Sequence, residues 1–248
     1  MGSPANFSAF SPATVMQKPL LYTYRRCPYA MRARMALLVA DIAFDAHEVS
    51  LRDKPPDMLV LSPKGSVPVM LLPDGQVLEQ SWEIMGWALA RQATEGCWAA
   101  AQTAENLAWL AKNDGDFKHN LDRYKYPERY DEVDPNSARE QALEGFLLPL
   151  ADRLEKSRFL GGAAPCATDV ALFPFVRQFA AVAPDWFAQQ PLPALQTWLA
   201  NWLTSALFRH CMHKLPSRTT VGFPPLDNQE LKGRGQSIVR NFTVVGWS

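Results

Sequence analysis

Short apolar runs alternate with a helical spacing of apolar positions in the first ninety residues of the chain. The runs predict four strands: Leu20–Tyr24, Phe44–Val49, Val67–Leu72 and Gln76–Glu79. Helices are predicted between them at Ala30–Ala40, Pro55–Leu61 and Ser81–Arg91. The predicted order is therefore βαβαββα. The first strands are expected to be parallel because helices separate them, and the last two form a hairpin.

The first predicted helix is amphipathic. Met31, Met35 and Leu38 lie on one face, and Arg32 and Arg34 lie on the other. The third predicted helix has Ser81 as its expected N-cap, since serine hydroxyls accept hydrogen bonds from free backbone N–H groups.

Beyond residue 100 the strand patterns disappear and helical spacing continues. Three groups of apolar residues carry it, in the segments 143–154, 172–179 and 195–202, with Pro149 expected to bend the first. The predicted organisation is a loose leader at 1–18, an α/β domain at 19–91, a linker at 92–102, an all-helical domain at 103–215 and an irregular tail at 216–248.

Composition narrows the classes of function. The 248 residues include 25 basic and 25 acidic side chains, so no net charge favours nucleic acid or a membrane surface. No apolar run has the length of a membrane span, so neither nucleic acid nor a membrane is expected as a partner. The four cysteines are scattered without a C-x-x-C pair, which indicates no disulfide scaffold or metal site and favours the cytoplasm.

Cys27 stands where the first strand meets the first helix, directly before Pro28. At a helix N-terminus, the helix dipole and the free N–H groups stabilise a thiolate. Arg25, Arg26 and Arg32 are close in sequence and are expected to lower the pKa of the thiol further. The alternative is an inert, buried cysteine.

Three further motifs accompany Cys27. A Val67–Pro68 pair enters a strand, which predicts a cis bond that leaves the Val67 backbone free for a ligand, with an ordinary trans bond as the alternative. Gln80 and Ser81 begin a helix whose N–H groups can bind a carboxylate; a simple capping serine is the alternative. Lys54, taken alone, is a surface lysine.

These motifs together resemble the glutathione transferase superfamily, over residues 19 to 215. Its members join a thioredoxin-like α/β domain to an all-α domain, and "CPYA", "LRDKPPD" and "SVPVM" are closest to the cysteine-type, omega-like members. "QS" stands where those members have Glu-Ser. "CATDVALFPFVRQF" is similar to the family's buried capping motif, with Cys166 in place of the hydroxyl residue, so we expect a weaker cap or one supplied by Thr168.

The resemblance implies a role for each matching residue. Cys27 would form a mixed disulfide with glutathione, and Val67, before Pro68, would pair with the cysteinyl unit. Gln80 and Ser81 would hold the γ-glutamyl group, and Lys54 would face the glycyl carboxylate. Tyr29 is also placed among the glutathione-binding residues.

The implied function is a glutathione-dependent thiol transferase or reductase. Its partners are glutathione and an unidentified electrophilic or disulfide substrate; a homodimer stays open. The alternative is a non-catalytic protein-interaction module with the same fold. Gln80 lacks the charge of the omega-like Glu, and Ala30 stands where dithiol glutaredoxins have a second cysteine, which favours a monothiol route.

Overall fold

The structure is a computed structural model that describes residues 18–91, 94–130 and 134–226. Its first unit has the predicted βαβαββα order. The elements are β1 (Leu20–Thr23), α1 (Pro28–Val39), β2 (Asp45–Glu48), α2 (Pro56–Leu61), β3 (Val69–Leu71), β4 (Val77–Leu78) and α3 (Ser81–Leu89).

The strands form one mixed sheet in the order β4-β3-β1-β2, with a further strand beyond β2. β1 and β2 are parallel, as predicted, but β3 runs antiparallel to β1, so the expectation of parallel first strands is wrong for β3. The reason is the length of α2. Its six residues do not carry the chain back along the sheet, so β3 begins at the end where β2 finishes.

Helix α1 is buried on nearly every side. Eleven of its twelve residues are buried, and they include Arg32 at 0% and Arg34 at 1% exposure. The amphipathic reading is therefore wrong for the arginine face. Arg32 bonds to Ala171 and Asp114 of the helical half of the chain, and Arg34 bonds to Cys211 of that half and to the end of β1 and the loop after it, so both guanidinium groups lie in the interior.

The second unit is all-helical, as predicted. Its helices are α4 (Glu95–Ala101), α5 (Ala104–Lys112), α6 (Lys118–Lys125), α7 (Pro135–Ala142), α8 (Leu148–Lys156), α9 (Ala167–Ala180), α10 (Pro184–Ala188), α11 (Pro193–Leu203) and α12 (Ala206–Cys211). Helix α4 occupies most of the segment predicted as a linker, whose described residues are thus largely helical. No helix in the described residues is both long and apolar enough to cross a membrane.

Two π-helical turns, called widened turns below, interrupt the helices of this unit. One spans Leu143–Leu147 and ends two residues before Pro149, where the sequence predicts a bend. Proline has no N–H for the regular helical bond, so the adjoining turn relaxes. The other spans Asn113–Phe117, where Gly115 has non-helical backbone angles. That second turn brings Asp114 to the boundary with the first unit.

The segment after α12 contradicts the prediction of an irregular tail. Thr220–Gly222 form a fifth strand, β5, antiparallel to β2 at the sheet edge. Phe223 then stacks on Phe44 with ring centroids 4.8 Å apart. The backbone groups of β2 are thereby paired on both sides. Residues 227–248, the rest of the predicted tail, and 1–17 of the predicted leader lie outside the described residues.

Asp169 is the polar centre of the helical unit. Its carboxylate is buried and accepts N–H groups from Leu160 at 3.0 Å, Cys166 at 2.9 Å and the Trp198 ring at 3.0 Å. Cys166 is the N-cap of α9, and Thr168 lies inside the helix, so Thr168 does not supply the cap. The carboxylate ties the α9 N-terminus to α11 and to the preceding loop.

We predict that Asp169→Asn lowers the free energy of unfolding by about 2–3 kcal/mol, because an amide NH₂ would face N–H groups that need an acceptor. Urea denaturation measures the change. Asp152→Asn, at an exposed position on α8, is the matched control and should stay within about 0.5 kcal/mol of the unchanged protein. Equal stabilities for the two variants would contradict the role given to Asp169.

Candidate active site

Cys27 lies at the corner between β1 and α1, where the sequence predicts it. It is the N-cap residue of α1, with Pro28 at the first helical position. Its N–H donates to the Tyr24 carbonyl at 3.0 Å, and its carbonyl accepts the Met31 N–H at 2.9 Å. These bonds fix the backbone, so the half-buried sulfur is held at the helix N-terminus.

The Val67–Pro68 peptide bond is cis, as predicted. Val67 lies outside the strand ladder, because pairing of β3 with β1 begins at Val69. The Cys27 thiol donates a long hydrogen bond to the Val67 carbonyl, with Sγ and O 3.7 Å apart. Two motifs that are 40 positions apart in the chain therefore meet at one point.

Gln80 and Ser81 form the third side of this site. The predicted capping role of Ser81 is wrong, since Gln80 is the N-cap of α3 and Ser81 is its first residue. The Gln80 N–H donates to the Glu83 carboxylate at 3.3 Å. The buried Ser81 hydroxyl faces the Arg32 guanidinium at 3.4 Å, which keeps the start of α3 against α1.

A cavity of about 350 Å³ connects these groups. Its lining comprises Tyr29, Lys64, Ser66, Val67, Pro68, Glu79, Gln80, Ser81, Trp82 and Asp114. Five residues selected from the sequence are among them. Cys27 adjoins this lining because its thiol donates to the carbonyl of Val67, a lining residue. The volume and the mixture of apolar and polar walls are typical of a small-molecule site.

Lys54 is not part of this described lining. It packs beside Gly65, where a Cβ atom would lie 3.2 Å from the Lys54 Nζ. Lys64 lines the cavity and donates to the Glu79 carbonyl at 2.7 Å. Sequence reasoning missed Lys64 and Glu79, although both flank motifs that it selected.

Asp114 was also missed, and it comes from the helical unit. Its two carboxylate oxygens accept hydrogen bonds from the Arg32 guanidinium at 2.6 and 2.9 Å. The Asp114 side chain remains 35% exposed, on the cavity side. The pair joins the two units and holds a carboxylate opposite the start of α3. The one local indication of this position in the sequence is Gly115, a glycine between Asp114 and Asp116.

The electrostatics of Cys27 differ from the sequence expectation. Burial raises the pKa of the Cys27 thiol above its ordinary value, while the backbone N–H groups of Tyr29 and Ala30 and the charges of Arg34 and Lys118 act in the opposite direction. Arg25, Arg26 and Arg32 are not among the groups that lower it. Arg26 is exposed against Tyr24, and Arg32 is paired with Asp114.

Tyr29 stays protonated at neutral pH. Burial, followed by the charge of Asp114, raises the pKa of its phenol to about 12. The ring packs edge-on against Phe175 with centroids 4.8 Å apart, and the Arg32 guanidinium lies 5.1 Å from its centroid. Tyr29 thus lines the cavity in its neutral form.

The remaining chemistry in the described residues lies elsewhere. Cys97, Cys166 and Cys211 are buried, and burial raises the pKa of each thiol, so Cys27 is the one partly exposed cysteine of the four. A larger cavity, of about 440 Å³, lies beside Arg25 and Lys214 and includes no site residue selected from the sequence. No cluster of three metal-binding side chains occurs in the described residues.

A curated protein and several solved structures are similar to this chain. A "Probable glutathione transferase" from Aplysia californica is 44% identical over 55 residues, which are 22% of this chain and 60% of that protein. A glutathione transferase structure from Phanerochaete chrysosporium, in complex with oxidized glutathione, has a TM-score of 0.68 at 15% identity and covers 79% of this chain and 95% of its own.

A family member from Pseudomonas fluorescens, with two glutathione bound, has a TM-score of 0.65 at 18% identity and covers 81% and 95% of the two chains. At these low identities, the TM-scores show that the fold is shared. The model of the glutathione S-transferase N-terminal domain matches residues 26–91, and that of the C-terminal domain matches 99–201. Since the two matches together span more than half of the chain in the family's order, this protein belongs to the glutathione S-transferase superfamily.

Proposed function

We propose that this protein is a glutathione-dependent thiol transferase that uses Cys27 as its nucleophile. The observation that carries the proposal is the meeting of the Cys27 sulfur and the Val67 carbonyl at 3.7 Å, beside a cavity that the start of α3 closes. Two structural neighbours that were crystallised with glutathione or its oxidized form support the choice of ligand.

The cavity residues are the proposed partners of the cysteinyl and γ-glutamyl parts of glutathione. The Val67 backbone, free of the ladder, pairs with the cysteinyl unit and sets its sulfur toward Cys27. The γ-glutamyl carboxylate is bound by the N–H groups at the start of α3, by the Gln80 and Ser81 side chains and by the Lys64 ammonium. Lys54, outside the described lining, is the proposed partner of the glycyl carboxylate.

Asp114 receives the γ-glutamyl ammonium in this arrangement. Gln80 has no charge to offer it, but a carboxylate oxygen can accept from the ammonium while it also accepts from Arg32. Asp114 lies on the same cavity as Gln80 and Ser81. The helical unit thus supplies the negative charge that the "QS" motif lacks.

The proposed reaction is thiol–disulfide exchange. The Cys27 thiolate attacks the glutathione sulfur of a mixed disulfide between glutathione and a second thiol, forms its own mixed disulfide with glutathione and releases the second thiol as a thiolate. A glutathione thiolate then attacks the bound glutathione sulfur, leaves as oxidized glutathione and regenerates the Cys27 thiolate. Ala30 occupies the position of a resolving cysteine, so the resolving thiol comes from solution.

A second candidate function is a non-catalytic module that keeps the fold for protein contacts. The observation in its favour is the direction of the Cys27 pKa, because burial favours the neutral thiol. Formation of a covalent adduct distinguishes the two candidates.

Incubation with oxidized glutathione should add one glutathione to the intact protein, visible by mass spectrometry, since Cys27 is the accessible thiol. The adduct should be absent from Cys27→Ser and present in Cys97→Ser, where the lost thiol is buried. No adduct on the unchanged protein would favour the module. An adduct that survives in Cys27→Ser would exclude Cys27 as the nucleophile.

In the ligand-free protein, the rate of Cys27 alkylation should still rise with pH above the pH at which the rate for free cysteine has reached its plateau. Burial favours the neutral form, so the thiolate population develops at higher pH than in water. The rate is followed on the Cys27 peptide with iodoacetamide between pH 6 and 10. A plateau below pH 7 would contradict the direction of the shift.

Asp114→Asn should remove the preference for glutathione over its analogue that lacks the γ-glutamyl amine. The unchanged protein should bind glutathione about tenfold more tightly than the analogue, the contribution of a charge-assisted hydrogen bond. Calorimetry gives both affinities, and their ratio is insensitive to a general weakening of the site.

Asp116→Asn, an exposed position in the same turn, is the matched control and should preserve the ratio. If Asp114→Asn also preserves it, the ammonium has another partner. If the unchanged protein binds neither ligand, the proposed function itself fails.

A further inference from the structure

Helix α1 carries two buried guanidinium groups that differ in what neutralises them. The charge of Arg32 is met by the Asp114 carboxylate. Arg34 has neutral acceptors: its Nε donates to the Cys211 carbonyl at 3.1 Å, and its Nη atoms donate to the Thr23 hydroxyl and to the Tyr24 and Arg25 carbonyls. Among the described residues no carboxylate forms an ion pair with Arg34, so its charge is uncompensated there.

Arg34 holds the backbone that leads to Cys27. The Tyr24 carbonyl accepts from the Arg34 Nη1 at 3.3 Å and from the Cys27 N–H at 3.0 Å. The Arg25 carbonyl accepts from Nη2 at 2.7 Å. The corner between β1 and α1 therefore folds around this guanidinium group, and a single carbonyl oxygen separates it from the Cys27 amide.

We propose that Arg34 is a positioning residue whose buried positive charge stabilises the thiolate of Cys27. The inference rests on the proposed role of Cys27 as nucleophile and names the group that makes this role available within a buried corner. Arginine does not lose its proton in proteins, so the charge is present at every relevant pH. In the low-dielectric interior, the field of that charge extends further than it would in water.

Other charged groups face the same corner. Lys118 acts on Cys27 from α6, and it pairs with Asp122. Glu48 of β2 accepts the Arg25 N–H at 2.8 Å, while Arg26 is exposed and bonded to the Tyr24 hydroxyl. On the far side of Arg34, burial raises the pKa of the Cys211 thiol, while the charge and a hydrogen bond of Arg34, followed by the charge of Arg177, act in the opposite direction. Arg34 is the cation that combines full burial with bonds to the Cys27 loop.

The pKa of the Cys27 thiol agrees with this role. Burial raises it, and among the charges that lower it, that of Arg34 acts most strongly. Without Arg34, the sulfur would keep its burial and lose this compensation.

The test compares Arg34→Gln, which removes the charge and keeps hydrogen-bond donors, with Arg34→Lys, which keeps the charge and loses the planar fork. Alkylation of Cys27 in the full chain by iodoacetamide is followed by peptide mass spectrometry from pH 6 to 10. At pH 7 Arg34→Gln should react about tenfold more slowly, with its pH profile displaced upward, and Arg34→Lys should stay within about threefold.

Arg26→Gln is the matched control, because Arg26 is next to Cys27 in the chain but exposed to solvent, and its rate should stay within about twofold. Equal pH profiles for the unchanged protein and Arg34→Gln would overturn the proposal. So would equal displacement in the Gln and Lys variants, which would assign the effect to loop geometry alone.

If Arg34→Gln does not fold, the ionic strength decides the question on the unchanged protein. A buried charge is weakly screened, so the pH profile of Cys27 alkylation should be the same at 0.02 and 0.5 M salt. An upward displacement at high salt would assign the stabilisation to exposed cations and overturn the proposal. The reagent requires no glutathione site, so this result is independent of whether the protein binds glutathione.

Discussion

The burial of α1 is the constraint on which the rest of this structure depends. The helix lies between the sheet and the helical unit, and its two arginines cannot reach water. Buried cations need acceptors that replace hydration. Arg32 finds Asp114 and the Ala171 carbonyl in the second unit, and Arg34 finds carbonyls of the β1–α1 corner and of α12. The contact between the two units and the shape of the corner that holds Cys27 are thus both consequences of one buried helix.

The same burial creates the tension at Cys27. A sulfur that lies deep enough to contact the Val67 carbonyl loses hydration, and this raises its pKa. The start of α1 and the charge of Arg34 oppose that effect. The pKa of the Cys27 thiol is therefore a balance of effects of opposite sign. The ion pair with Asp114 occupies Arg32, one of the three arginines that the sequence places near Cys27.

The cavity belongs to both units. Val67, Gln80 and Ser81 come from the α/β unit, and Asp114 comes from a widened turn of the helical unit. A ligand that contacts all of them would depend on the relative position of the units, which the Arg32–Asp114 pair holds. Asp169 has the corresponding task within the helical unit, where one carboxylate organises the start of α9 and a ring of α11.

Local patterns were sufficient for the βαβαββα order, the all-helical second unit, the corner position of Cys27 and the cis Val67–Pro68 bond, because strand runs, helical spacing and proline chemistry act over a few neighbouring residues. Tertiary structure alone decided four features: the direction of β3, the strand at Thr220–Gly222, the burial of Arg32 and Arg34, and the position of Asp114 at the cavity. Each depends on a partner far away in the chain. The direction of the Cys27 pKa belongs with them, since a sequence shows which charges are adjacent but not which of them are buried, paired or screened.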